Sequence, residues 1–242
     1  MRKTLLKLHR VSAVVMLLWY LANNKYFWVD KVKGQTLAAT KYITASISIS
    51  NHVVVDNGSI VFESPGAGLS TFLPSAYHHF QLNYPKFYKM DNLSKLGWLA
   101  VEILLKDNFD KDAYQPEEVG LVLANANSSL DNDLKYYDTI ADVASPAVFV
   151  YTLPNIVIGE ICIRNKFKGE HAFFIQETFD ANFIEKQVSY LLDNEILQAC
   201  ICGWVDVLDQ NYKAVLFLVE KQKKEQSIIF SAENMNEIFI SN

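Results

Sequence analysis

The chain predicts an α/β fold, with a mixed, mostly parallel sheet of about five strands and helices on both faces. Three observations carry this expectation. Strand-like runs alternate with helix-periodic stretches, the order that builds layered α/β domains. Two runs, Ile196–Val207 and Tyr212–Glu220, are almost continuously apolar, as interior strands covered on both faces are. One stretch, Asp91–Lys106, brings Leu93, Leu96, Gly97, Ala100, Ile103 and Leu104 to one helix face at three-to-four spacing.

The elements follow in order. Lys41–Ser50 alternates apolar and polar residues, which predicts a half-buried strand. Val53–Val55 and Ile60–Phe62 flank Asp56-Asn57-Gly58, a turn between short strands. A loop is expected through Pro65, Gly66, Gly68 and Pro74. Asp91 or Asn92 can cap the following helix, because a short side-chain acceptor satisfies its free N–H groups. Val119–Ala124 reads as a buried strand and Leu130–Ala141 as a helix. Ser145-Pro146 restarts the chain before an apolar stretch that runs to Ile163. Lys168-Gly169 turns into a strand, Ala172–Gln176, and Phe183–Leu192 is helical, with Ile184, Val188, Leu191 and Leu192 on one face. Ser227–Phe230 and Ile238–Ile240 are expected as short strands.

Composition narrows the function classes. Half of the 242 residues are apolar and 20% are charged, enough to build a sizeable core. The net charge of −5 argues against a nucleic-acid binder, which normally carries a basic face. The same charge repels acidic partners, so any docking patch for one must be local. Three cysteines, Cys162, Cys200 and Cys202, do not suggest a disulfide framework. They read as small core residues of a reducing cytosol, with Cys200 and Cys202 taken to face apart on a strand. The five histidines make no metal-binding array, so neither a metal nor a cofactor is expected.

Residues 1–40 read differently. Arg2, Lys3, Lys7 and Arg10 precede an uncharged apolar run, Val11–Ala22, too short to span a bilayer comfortably. Three readings stand open: a membrane or interfacial anchor, an extension packed on the domain, or a start codon assigned too far upstream. The expected organisation is therefore an extension over 1–40 and one domain over 41–242, in a cytoplasmic protein with membrane contact through 1–40 left open.

From about Tyr42 to Glu220 the order of elements and several strings resemble the amino-terminal half of a β-ketoacyl synthase. Tyr84–Asp91, YPKFYKMD, with the LSKLGWLA helix after it, looks like the segment before that family's first long helix. Gly120–Ala124 looks like its second core strand. Ser145–Ile161, SPAVFVYTLPNIVIGEI, is similar to a family pattern of Ser-Pro, aromatic residues, then Pro-Asn and a small-residue helix. The distance to Lys168-Gly169 fits the turn into the strand that carries the nucleophile, and Ala199–Val205 and Ala214–Glu220 are similar to the closing strands. The resemblance implies a thiolase-like half.

It also implies what is missing. The active family places a cysteine between that strand and the next helix, where the helix dipole favours a thiolate that accepts an acyl chain. Counted without gaps from Gly169, the position falls on Thr178, which has no thiol, between Glu177 and Asp180 nearby, which oppose added negative charge. No cysteine lies between Cys162 and Cys200. The two histidines that the family takes from its second half have no counterpart, since none follows His171. A plainer role for Thr178 is a helix N-cap; gating or carbanion handling is the alternative for Gln176 and Glu177. By resemblance, His171, Ala172, Phe173, Phe174 and Ile175 form the strand that pairs across a dimer axis. Leu130, Leu134 and Phe149 sit where a tunnel end limits acyl length, with ordinary core packing as the plainer role. The implied function is a non-catalytic chain-length-factor-like subunit of aryl polyene or flexirubin-type pathways. It would partner a full-length β-ketoacyl synthase and, through it, an acyl carrier protein. The competing reading is an independent acyl-transferring enzyme using Cys202 or Cys200.

Overall fold

The computed structural model describes residues 39–241, so the readings of the amino-terminal segment lie outside the described residues. Among the described residues eight strands form one sheet: β1 Tyr42–Ser50, β2 Val53–Asp56, β3 Ser59–Glu63, β4 Val119–Asn125, β5 His171–Ile175, β6 Ala199–Leu208, β7 Asn211–Glu220 and β8 Ile228–Ile229. Their order is β3-β2-β1-β7-β6-β4-β5, and β8 pairs the start of β1. The helices are α1 Leu69–His79, α2 Asn92–Lys106, α3 Leu130–Ile140, α4 Pro146–Phe149, α5 Ile156–Asn165, α6 Ala181–Asp193 and α7 Ala232–Ser241.

The expected class holds: a mixed sheet with helices on both faces. Two details differ. The central run β1-β7-β6-β4-β5 has the expected five strands, but β2, β3 and β8 extend it. Only β4–β5 and β4–β6 are parallel, and the other pairs are antiparallel. For the three hairpin pairs, β1–β2, β2–β3 and β6–β7, the reason is local. Asn51-His52, Asn57-Gly58 and Asp209-Gln210 are two-residue turns whose first residues have φ of 47°, 47° and 55°. Such turns match strand twist and force the joined strands antiparallel.

β6 and β7 are buried along nearly their whole length, as their apolar runs predict. They separate two apolar layers. α1, α2 and α5 fill one side with Phe72, Trp98, Leu99, Leu104, Val157 and Ile161, among others. α6 and α7 fill the other with Ile184, Val188, Leu192 and Met235 against Cys200, Cys202 and Phe217. α2 starts at Asp91, whose carboxylate accepts from Ser94 N–H at 3.0 Å. Gly97 lets this helix reach its neighbours: a Cβ there would stand 2.5 Å from Val157 Cγ2 and 3.3 Å from Val205 Cγ1.

Two stretches depart from expectation. The loop expected through Pro74 is helix α1 from Leu69 on. Leu69, Phe72, Leu73, Ala76 and Tyr77 form a buried stripe at helical spacing, and that stripe outweighs the one backbone bond Pro74 removes. At the tail, only Ile228–Ile229 is a strand. Ile238–Ile240 belongs to α7, which buries Ala232 and Met235 and half-buries Ile238 and Phe239 at three-to-four spacing.

Candidate functional site

β5 is the last strand of the sheet on its side, and among the described residues only β4 pairs with it. Phe173 packs toward the α5 layer and Phe174 toward the α6 layer, where it meets Phe183 edge-on at 4.8 Å. His171 and Ile175 are exposed. Beside the free edge runs a groove of about 290 Å3, lined chiefly by Ala172, Phe174, Tyr190, Leu191 and Ile196.

The chain leaves β5 through a tight junction, Gln176–Asp180, and enters α6. Gln176 N–H donates to the Asn125 carbonyl at 2.8 Å, tying the ends of β4 and β5 together. The Gln176 side-chain oxygen is buried with no donor among the described residues. Thr178 lies in this strand-to-helix junction, where the count from Gly169 placed it, but it is exposed and does not cap the helix. The cap is Asp180, whose carboxylate accepts from Phe183 N–H at 3.0 Å. The difference is chemical as well as positional, because Asp is at least as good a cap as Thr and sits at the correct offset.

The loops at the carboxyl ends of β4 and β6 are held by a polar crown. Asp206 accepts from Ala126 N–H, Asn127 N–H and Asn127 Nδ2 at 3.2, 3.0 and 2.7 Å. Asp131 accepts from Asp209 N–H at 2.9 Å and pairs with Lys135 at 2.5 Å. Ser129 Oγ donates to the Thr152 carbonyl at 2.8 Å, and Asn132 Nδ2 to that of Val148 at 2.9 Å. These bonds fix the helices that carry the three expected tunnel residues. Leu130, Leu134 and Phe149 are 40%, 55% and 57% exposed, so the core-packing reading does not hold for them. Tyr137, Ile140, Val143, Val150 and Leu153 are exposed in the same stretch of chain. Sequence periodicity finds α3 but cannot tell that its apolar side lacks a cover.

The cysteines lie elsewhere. Cys200 and Cys202 are fully buried and share one face of β6, as residues two apart on a pleated strand must, so the expectation that they face apart fails. Burial pushes both thiols well above their ordinary pKa, which removes the thiolate that acyl transfer requires. Burial pushes the half-buried Cys162 on α5 up to about 11. Among the described histidines, His52 lies against Phe72 and Tyr212, His78 contacts Tyr88, His79 lies against Phe62, and His171 opens β5 at the end away from Thr178. The reading that makes Cys202 or Cys200 a nucleophile therefore finds no support. Among the described residues no group of three or more His, Cys, Asp or Glu side chains could hold a metal ion, and no helix is long and apolar enough to cross a membrane.

No family model matches the sequence, and no curated protein matches it. Solved structures do. The ishigamide ketosynthase/chain length factor aligns with a TM-score of 0.55 at 18% identity, over 75% of this chain and 62% of that one. The AntDE:AntF assembly, a type II polyketide synthase acyl-carrier protein in complex with its ketosynthase bound to the hexaketide, aligns with a TM-score of 0.53 at 15% identity, over 76% and 63%. A ketosynthase, ApeO, in complex with its chain length factor, ApeC, from Xenorhabdus doucetiae aligns with a TM-score of 0.51 at 13% identity, over 76% and 79%. The chain thus spans less than two thirds of the first two chains it matches. Likeness at these identities shows the fold, and the fold is the thiolase-like one of the ketosynthases.

Proposed function

We propose that this chain is a non-catalytic, chain-length-factor-like subunit that pairs with an active β-ketoacyl synthase in polyketide-type chain elongation, of the aryl polyene kind. The observation that carries the reading is the junction after β5: Thr178 stands there, no cysteine lies between Cys162 and Cys200, and the thiols on β6 are sealed in the core. A condensing site of this architecture needs a thiolate at a helix start. This chain supplies the setting without the sulfur, so the chemistry belongs to a partner.

Two further features support a partner. Among the described residues nothing pairs with the outer edge of β5, a template for another strand unless it is covered. The exposed apolar residues between 130 and 153 are held on pinned helices, and burying a Leu or Phe side chain is worth about 1.5–3 kcal/mol. In this reading His171–Ile175 pair with the ketosynthase. Leu130, Leu134 and Phe149 close the far end of its acyl tunnel, where bulk stops further extension because packed side chains do not yield to extra carbons. The acyl carrier protein contacts the assembly chiefly through the partner. The buried Gln176 oxygen is a point where the partner can supply a donor, since a buried acceptor left unpaired costs about 1–3 kcal/mol.

The test is co-expression with candidate ketosynthases, sizing of the complex, and product analysis. The expected result is a stoichiometric complex that elongates, and an isolated chain that takes no acyl group from an acyl carrier substrate. A thioester formed on the isolated chain overturns the proposal.

A further inference from the structure

The junction that bears Thr178 is poorly tied by hydrogen bonds. Gln176 is bonded before it and Asp180 caps the helix after it, but among the described residues no hydrogen bond holds residues 177–179. What holds them is an aromatic ring. Phe179 stacks on Phe239 of α7, with centroids 4.4 Å apart and planes at 17°. Trp204 of β6 meets both rings edge-on, at 6.3 and 6.4 Å.

Phe239 is itself pinned. Lys213 of β7 donates from Nζ to the Phe239 carbonyl at 2.7 Å, and the same ammonium lies 4.2 Å from the ring centroid. A cation in the last turn of a helix satisfies free carbonyls and meets the negative end of the dipole. The contact over the ring adds a cation–π attraction. No carboxylate among the described residues forms an ion pair with Lys213, so its closest described partners are this carbonyl and ring. At its other end α7 is tied to α6, where Ala232 N–H donates to Glu185 Oε2 at 2.8 Å.

We propose that Phe239 is the positioning residue of the Gln176–Asp180 junction, and that α7, anchored through Lys213, is the strut that keeps this junction in the shape a partner reads. The second half rests on the function proposed above; the first does not. Both the strand edge and Thr178 depend on where the junction is held, so α7 governs the partner surface by holding the junction.

The experiment compares hydrogen exchange in the isolated full chain and its Phe239→Ala, Phe239→Tyr and Lys213→Met variants. Phe239→Ala is expected to speed exchange of the bonded amides that flank the junction, Gln176, Phe183 and Ile184, roughly tenfold while β6 and β7 stay protected. Lys213→Met should give a smaller effect of the same pattern, and Phe239→Tyr should restore the parent pattern. Unchanged exchange at Gln176, Phe183 and Ile184, or a uniform rise that includes β6 and β7, overturns the positioning role. If Phe239→Ala does not fold, Lys213→Met decides by the same criterion. Ketosynthase binding then separates the two proposals. If no ketosynthase binds the parent chain, the functional reading fails while the strut stands on exchange alone. If Phe239→Ala binds as tightly as the parent, the claim about the partner surface fails.

Discussion

β6 and β5 flank the same strand, β4, in parallel register, and their fates differ. β6 is flanked by β4 and β7 and covered by helix layers on both faces, so seven of its first residues, Ala199–Val205, are buried without a break. Among the described residues β5 has a neighbour on one side only, and its five residues are exposed at both ends. Both strands are apolar. What separates them is completeness: one region satisfies its backbone and side chains within the chain, and the other has its outer edge open. Among the described residues, an apolar strand with no outer neighbour and exposed apolar side chains on pinned helices mark where the fold relies on something outside itself.

Substitutions can sharpen this contrast. The largest effect is expected inside: Phe217→Ala, fully buried against α6 and α7, should destabilise the isolated chain by about 3–5 kcal/mol in urea titration. A value near zero would mean that this layer is not a packed core. Next comes the junction between the two regions. Asp180→Ala removes the cap of α6 and should lose about 0.5–2 kcal/mol, while Thr178→Ala should change stability little. The reverse ranking would restore Thr178 as the cap.

A smaller, pH-dependent effect is expected at Asp91. Burial raises its carboxyl pKa, against the hydrogen bonds from Ser94 that lower it. The folded chain then binds this proton more tightly than the unfolded chain, so the associated stability is present in acid and lost as pH rises through the folded pKa. Asp91→Asn keeps an acceptor for the helix start. It should be more stable than the parent at neutral pH, with the advantage vanishing on acidification; an advantage that grows in acid contradicts the sign. The smallest effect on stability belongs to the outer surface. Leu134→Ser with Phe149→Ser should leave the isolated chain within about 0.5 kcal/mol of the parent, yet weaken the ketosynthase complex or alter product length. Loss of stability without loss of pairing would place these side chains in the core after all.

Sequence reading succeeds where local pattern decides the outcome. The continuous apolar runs of β6 and β7 identify interior strands, Asp91 announces its helix, and Asn57-Gly58 announces its hairpin. It fails where neighbours decide. Pro74 and two glycines suggest a loop, but the stripe from Leu69 to Tyr77 finds a core to cover. Ile238-Phe239-Ile240 looks like a strand, yet packing against α6 and the junction selects a helix. Parallel and antiparallel pairing look alike in composition, so the hairpin turns had to be weighed as pairing signals. The strand-to-helix junction was legible from spacing. The cap two residues later, and the exposure of Leu134 and Phe149, depend on three-dimensional surroundings that periodicity does not encode.

The position of β1 has a consequence for how the molecule forms. β1 runs through the sheet beside β7, so Tyr42 lies opposite Glu220 and Ser50 opposite Lys213. β1 must wait for a strand that synthesis makes much later in the chain. Contacts so distant in sequence slow folding, because the intervening chain must be closed into a loop before they reward it. Until β7 emerges, the longest edge of β1 stays open to wrong neighbours, and chaperone binding to nascent chains should peak before residue 211 leaves the ribosome.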